Sequence, residues 1–256
     1  MRRWEAAVAT ENPRILYQAV QLLKRLDIDF IICYPTDNRC NQSQVIITDV
    51  PDYFQHHEGL VLVQENFDMD FVRITIMARL RMIQTPSKAV IGIDPGMTSG
   101  VALVVDGIVL YQISLAIPSA VVELSCRLIG YIHTLFPSCQ SIIKVGTGSK
   151  LYSTLLLRAI FHKTQELEIE LVNEKNTTLS GGAGSDESSA IIIAGRSGRK
   201  VISSDMLLEV KVGYIRSLKQ FVIRLTRGKR ALTSNEARAI LLDELTFDEI
   251  VVQPMS

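Results

Sequence analysis

From Pro13 to Leu26, apolar residues fall at Ile15, Ala19, Leu22, Leu23 and Leu26, the three- and four-residue spacing of one helix face. Asn12 can cap that helix, and Pro13 takes its first position, where no amide hydrogen is needed. Short β-rich runs follow at Asp29–Cys33, Val45–Val50 and Gly59–Val63, and Phe71–Met82 returns to helical spacing. Helix and strands mixed over residues 1–86 predict a small α/β domain. Gln84-Thr-Pro-Ser-Lys88 breaks the pattern, because Pro86 and its polar neighbours cannot extend a helix, and predicts a linker.

From Ala89 the pattern changes. Ala89–Asp94 is a buried-type run ending on a carboxylate; Pro95, Gly96 and Gly100 supply a turn, and Val101–Val105 and Ile108–Ile113 read as two more strands. Asp106-Gly107 between them is a strong hairpin signal, since both turn positions require φ > 0. A helix is predicted from Pro118 (Val121, Val122, Leu124, Leu128, Ile132), then a strand at Ser141–Val145, a helix at Lys150–His162 and a strand at Glu168–Val172. The loop Ser180-Gly-Gly-Ala-Gly-Ser185 leads to a helix from Asp186. This order, β-β-β-α-β-α-β-α, is that of a ribonuclease H-like core and sets the expected fold class as α/β over residues 87–204. Residues 205–256 read as a basic helical extension. Tyr214, Leu218, Phe221, Val222 and Leu225 fall on one side of its helix, with Arg216, Lys219 and Arg227 opposite. Thr233-Ser-Asn-Glu236 and Thr246-Phe-Asp-Glu249 both match a capping box.

Composition adds bounds. At 256 residues and 47% hydrophobic, the chain suits one large or two small domains with a sizeable core. No run reaches the roughly 18 apolar residues of a membrane helix. The nearest, Gly107–Val122, is broken by Pro118, so no membrane partner is expected. Met1-Arg-Arg-Trp-Glu5 has no apolar stretch behind it and predicts no leader. Cys33, Cys40, Cys126 and Cys139 form no Cys-x-x-Cys pair, so four free thiols and a reducing cytoplasm are the expectation. Net charge is zero, yet Arg196–Arg230 carries ten Lys and Arg against Asp205 and Glu209, a local excess that a polyanion would feel.

Three acids carry the candidate chemistry. Asp94 and Glu174 end predicted strands and Asp186 opens a helix, with Glu187 beside it. Beyond the carboxyl ends of strands lies the functional crevice of an open sheet. Mg²⁺ or Mn²⁺ takes carboxylate oxygen, and a cation pair roughly 3.5–4 Å apart can activate water and stabilise a leaving oxygen in phosphodiester cleavage. Asp94, Glu174 and Asp186 are therefore the candidate catalytic residues and metal ligands, with Glu187 as a further ligand. Each also has a purely structural role open to it: Asp94 as a turn acceptor, Asp186 as an N-cap, Glu187 as a dipole partner.

These residues resemble a known family. Ile91-Gly-Ile-Asp-Pro-Gly96 with Gly100-Val-Ala-Leu is similar to the first motif of the RuvC/YqgF nucleases. Leu171-Val-Asn-Glu-Lys-Asn-Thr-Thr178 resembles the YqgF-type Asp-Glu-Arg-x-Thr-Thr motif, whose Glu falls on Glu174, and Asp186-Glu-Ser-Ser-Ala resembles the last motif. Ile143-Lys-Val-Gly146 matches a YqgF strand ending in Val-Gly. The likeness covers about Ala89 to Lys200, and the flanking parts resemble an archaeal RuvC-like arrangement. It implies a metal-dependent nuclease acting on structured RNA or branched DNA. Lys175, Thr177, Arg196, Arg199, Lys200, Arg216, Lys219 and Arg227 are the candidate contacts to nucleic acid, and a homodimer is the assembly considered. The departures are specific: Gly146 and Ser189 stand where RuvC resolvases keep acids, and Asn173 and Lys175 replace the YqgF Asp and Arg. A non-catalytic nucleic-acid binder on the same fold and a protein-interaction scaffold are the alternatives. Gly181, Gly182 and Gly184 form no P-loop; Lys144 reads as a solvated rim residue, His133 as core, and His56-His57 as surface. Asp49, after Val45-Ile-Ile-Thr, is a strand-end acid with a turn role or a ligand role.

Overall fold

The computed structural model describes residues 4–163, 167–174, 186–247 and 249. The chain is a mixed α/β protein that divides into two compact units, Met1–Pro86 and Ser87–Ser256. The tail helices belong to the second unit rather than standing apart from it.

The first unit contains a four-stranded parallel sheet in the order β2-β1-β3-β4: β1 (Ala6–Ala9), β2 (Phe30–Cys33), β3 (Val45–Thr48) and β4 (Leu60–Leu62). Asn12 caps α1 (Pro13–Arg25), its side chain accepting from the amides of Arg14 and Ile15. Ile15, Ala19, Leu22 and Leu23 of α1 pack with Val72 and Ile76 of α2 (Met69–Leu80) on the Ala6, Val8, Val45 and Ile47 face. The opposite face, with Ala7, Ala9 and Ile46, is covered by Cys40 and Phe54 from two short 3-10 turns. Cys33 and Cys40 are joined by a disulfide, Cα–Cα 6.2 Å, which corrects the expectation of four free thiols. Cys126 and Cys139 are free. A loop of six residues, 34–39, brings these two sulfurs together, which spacing in the chain does not reveal.

The second unit is built on a six-stranded sheet, β10-β9-β8-β5-β6-β7. Its strands are β5 (Lys88–Asp94), β6 (Ser99–Val105), β7 (Ile108–Leu115), β8 (Gln140–Gly146), β9 (Ile169–Val172) and β10 (Arg199–Lys200). Strands β5, β8 and β9 run parallel, and β6, β7 and β10 antiparallel to their neighbours. The helices interleave as α3 (Pro118–Leu135), α4 (Lys150–Lys163) and α5 (Asp186–Gly195), so the predicted element order is the observed one. Asp106 and Gly107 take φ of 45° and 85°, the pair of positive values a tight hairpin demands. Asp106 also accepts from Ser87 and Lys88, tying the hairpin to the start of β5.

Helix α5 lies on the sheet because glycine lets it. A Cβ on Gly92 would meet the backbone of Ala190 and Ala194, and one on Gly100 would meet the backbone of Asp186 and Glu187. Two more helices, α6 (Val212–Leu225) and α7 (Ser234–Leu241), pack Leu218, Phe221, Ala237 and Ile240 against Leu151 and Leu155 of α4. Buried Arg158 locks this layer, donating to the carbonyls of Met206, Ile240 and Leu241. Among the described residues no helix is long and apolar enough to cross a membrane.

Candidate active site

Side chains alternate along a strand, so Val90, Gly92 and Asp94 of β5 share one face, the face on which α5 packs. Asp94 pairs with Gly100 on β6, and the register that sets Ile93 opposite Val145 brings Gly146 of β8 to its other side. Both neighbours of this acid therefore lack a side chain. Over Gly100 stands the first turn of α5, carrying Asp186; over Gly146 lies the carboxylate of Glu174.

Asp94 feels the other two acids. Burial pushes Asp94 up to about 6 from its ordinary 3.8, the negative charges of Glu174 and Asp186 add to the rise, and a hydrogen bond from Ser189 opposes it. Ser189 thus works on Asp94 from the next turn of α5. Glu174 is held by the Gly148 amide, which donates to its Oε1 at 2.8 Å. Glu187 accepts from Ser114 on β7 at 3.2 Å. Among the described residues no three carboxylate, imidazole or thiol side chains stand close enough together to hold a metal ion between them.

A groove of about 710 Å³ runs from Glu174 along the β9 edge, lined by Thr147, Lys150, Ser153, Ser197 and Arg199 among others. Arg199 does not reach freely into it: its guanidinium grips Asp205 through two bonds of 2.7 Å. That grip holds the Asp205 carboxyl down at about 2, helped by the amide of Ile202. Lys150 donates to the carbonyls of Ser204 and Asp205, and so braces the same loop.

The other cations divide. Lys200 and Arg216 are exposed, and Arg196 is half-buried at the end of α5. Lys219 donates to Ser234 on α7 at 2.9 Å. Arg227 lies beyond α6 in a left-handed turn with φ 52°, so it leaves the helix face on which periodicity placed it. Lys175 and Thr177 lie outside the described residues, as do Thr178 and Gly181, Gly182 and Gly184.

Three secondary expectations change. Lys144 is buried rather than solvated: in register between Gly92 and Glu170, it pairs with Glu170 at 3.8 Å and donates to the Arg196 carbonyl that ends α5. His133 is exposed on α3 rather than core. His57 has a structural task, its Nδ1 accepting from the Gly59 amide at 3.2 Å and its Nε2 therefore donating to the Ser43 carbonyl at 3.0 Å. Asp49 follows β3, with one carboxyl oxygen buried and lacking a hydrogen-bond partner among the described residues. No family model, curated protein or solved structure matches this chain.

Proposed function

We propose that residues 87–204 form a ribonuclease H-like core of RuvC/YqgF type, and that the protein is a Mg²⁺- or Mn²⁺-dependent phosphodiesterase acting on structured RNA or branched DNA. One observation carries this reading: Asp94 ends β5 between Gly100 and Gly146, the first turn of α5 with Asp186 stands over the one and the Glu174 carboxylate over the other, and Asp94 is raised by burial first and by the charges of Glu174 and Asp186 after it. Strand order and helix order support the same core.

The donor set fits a hard divalent ion. It is all carboxylate oxygen, and a site whose own acids repel is short of positive charge. Asp94, Glu174 and Asp186 would hold the ion, which when bound supplies Lewis acidity at the phosphate and eases ionisation of water. The remaining work falls to this chain. Ser189 orients Asp94, the Gly148 amide fixes one oxygen of Glu174, and the groove beside Glu174, with Ser197 in its lining, leaves room for a backbone phosphate. Lys200, Arg216 and Arg227 are exposed cations available to more distant phosphates.

The second reading, a nucleic-acid binder without chemistry, is favoured by Gly146 and Ser189 at positions where resolvases keep acids. Cleavage of branched DNA, duplex ends and structured RNA with Mg²⁺ and with Mn²⁺ separates the two. Asp94→Asn is expected to abolish cleavage while leaving affinity in chelator unchanged, because it removes charge without changing shape. A wild-type protein inert on all three substrates with both ions would leave only the binder.

A further inference from the structure

We propose that Gly146 and Gly148 form the seat that aims the Glu174 carboxylate at Asp94, so that β9 supplies the acid for which the end of β8 keeps the space but no side chain. The inference takes its chemical purpose from the proposed cation site, while its geometry and its test stand apart from that reading.

Glycine usually serves one of two ends: a backbone with positive φ, or room for something close. Among the described residues only Gly107 and Gly228 have a positive φ among the glycines, so backbone conformation does not require glycine at 146 or 148. Space does. A Cβ on residue 146 would fall within the Glu174 carboxylate, 3.0 Å from its Cδ, and 2.6 Å from Ile193 Cδ1. On residue 148 it would stand 2.8 Å from Oε2 and 3.1 Å from Oε1 of the same group. Two glycines thus enclose one carboxylate, and the amide of the second donates to it at 2.8 Å.

The chain around the seat is anchored. β8 and β9 are in register at Gly146 and Val172, and beyond the strand end both the amide and the hydroxyl of Thr147 donate to the Val172 carbonyl, at 3.0 and 3.1 Å. That pairing fixes the spacing between Gly148 and the turn that bears Glu174. Gly146 sits beside Asp94 in the sheet, so a carboxylate seated over it faces Asp94, consistent with the repulsion between the two acids. Gly146 is therefore a positioning residue acting through Glu174, and the absence of a side chain at the end of β8 is the condition for receiving an acid from beyond β9.

The test uses the full chain in chelator, without substrate. An amide bonded to a carboxylate resonates downfield, so the Gly148 proton shift reports the seat. Gly146→Ala is expected to move that resonance upfield, towards its position in Glu174→Ala. Gly146→Ala should also destabilise wild type measurably more than it destabilises the Glu174→Ala background, the coupling expected of residues that share one space. Added Mn²⁺ should bind Gly146→Ala at least about tenfold more weakly, the usual effect of losing a group that orients a ligand. Gly146→Glu combined with Glu174→Ala should recover that affinity by filling the vacated space from the other strand. An unchanged Gly148 resonance, with the same destabilisation in both backgrounds, would overturn the seat and leave Gly146 serving Ile193 alone. Should Gly146→Ala fail to fold, Gly148→Ala keeps the amide and presses on Oε2, and the same two readouts decide. Failure of wild type to bind Mn²⁺ or cleave nucleic acid would sink the proposed function, not the seat, which the amide shift decides by itself.

Discussion

Replacing Asp94 by Asn should make the protein more stable at neutral pH. Asp94 titrates at about 6 in the folded chain against 3.8 ordinarily, because it is half-buried and faces Glu174 and Asp186. Between those values the folded state binds more protons than the unfolded state. Stability therefore falls as pH rises through this window and stays lowered above it. About two pH units at ~1.4 kcal/mol each set a ceiling of roughly 3 kcal/mol. Asp94 is also half in water, where such effects are screened, and ~1–2 kcal/mol is the realistic size. Asparagine keeps the shape and can still accept from Ser189, but it carries no charge. The variant should thus exceed wild type by ~1–2 kcal/mol at pH 7.5 and match it at pH 3.5. Urea unfolding in chelator, followed by circular dichroism at both pH values, measures the difference. Added Mg²⁺ should narrow the gap at pH 7.5 by stabilising wild type, if the acids hold an ion. A variant that loses the same stability at both pH values would refute the reasoning, since Asp94 would then act through bonds its charge does not oppose.

Three further outcomes are expected. Gly100→Ala puts a Cβ against the Asp186 backbone carbonyl, which cannot rotate away, and should cost roughly 3 kcal/mol or more in urea unfolding; a loss under ~1 kcal/mol would mean that α5 is not seated on β6. Reducing the Cys33–Cys40 disulfide frees a short loop and should lower the stability of the first unit by about 2 kcal/mol on loop entropy, checked by thermal melts with and without reductant. If nucleic acid binds through the exposed cations, Lys200→Ala with Arg216→Ala should weaken affinity for all sequences alike. It should also flatten the log-log salt dependence by roughly 0.7–0.9 for each phosphate that the variant no longer neutralises, whereas an unchanged slope would place the binding surface elsewhere.

Where a signal is local, the amino-acid sequence determined the outcome alone. Asn12 before Pro13 caps α1, Asp106-Gly107 makes the tight hairpin, and Thr233 with Glu236 closes the capping box of α7, because each depends on a few adjacent residues. The element order of the second unit was legible for the same reason, as were the strand and helix ends bearing Asp94, Glu174 and Asp186. Ala6–Ala9 was not, since alanine has little β signal and this strand exists by its parallel pairing with β2 and β3. Arg199, Lys219 and Lys144 read alike in a chain of letters. Only packing turned the first onto Asp205, the second onto Ser234 and the third into the sheet beside Glu170. The meaning of Gly100, Gly146 and Ser189 is likewise tertiary. What matters at these positions is which atom from a distant part of the chain fills the space beside Asp94 or bonds to it, and such contacts are set by the sheet register and the approach of α5 rather than by neighbours in sequence.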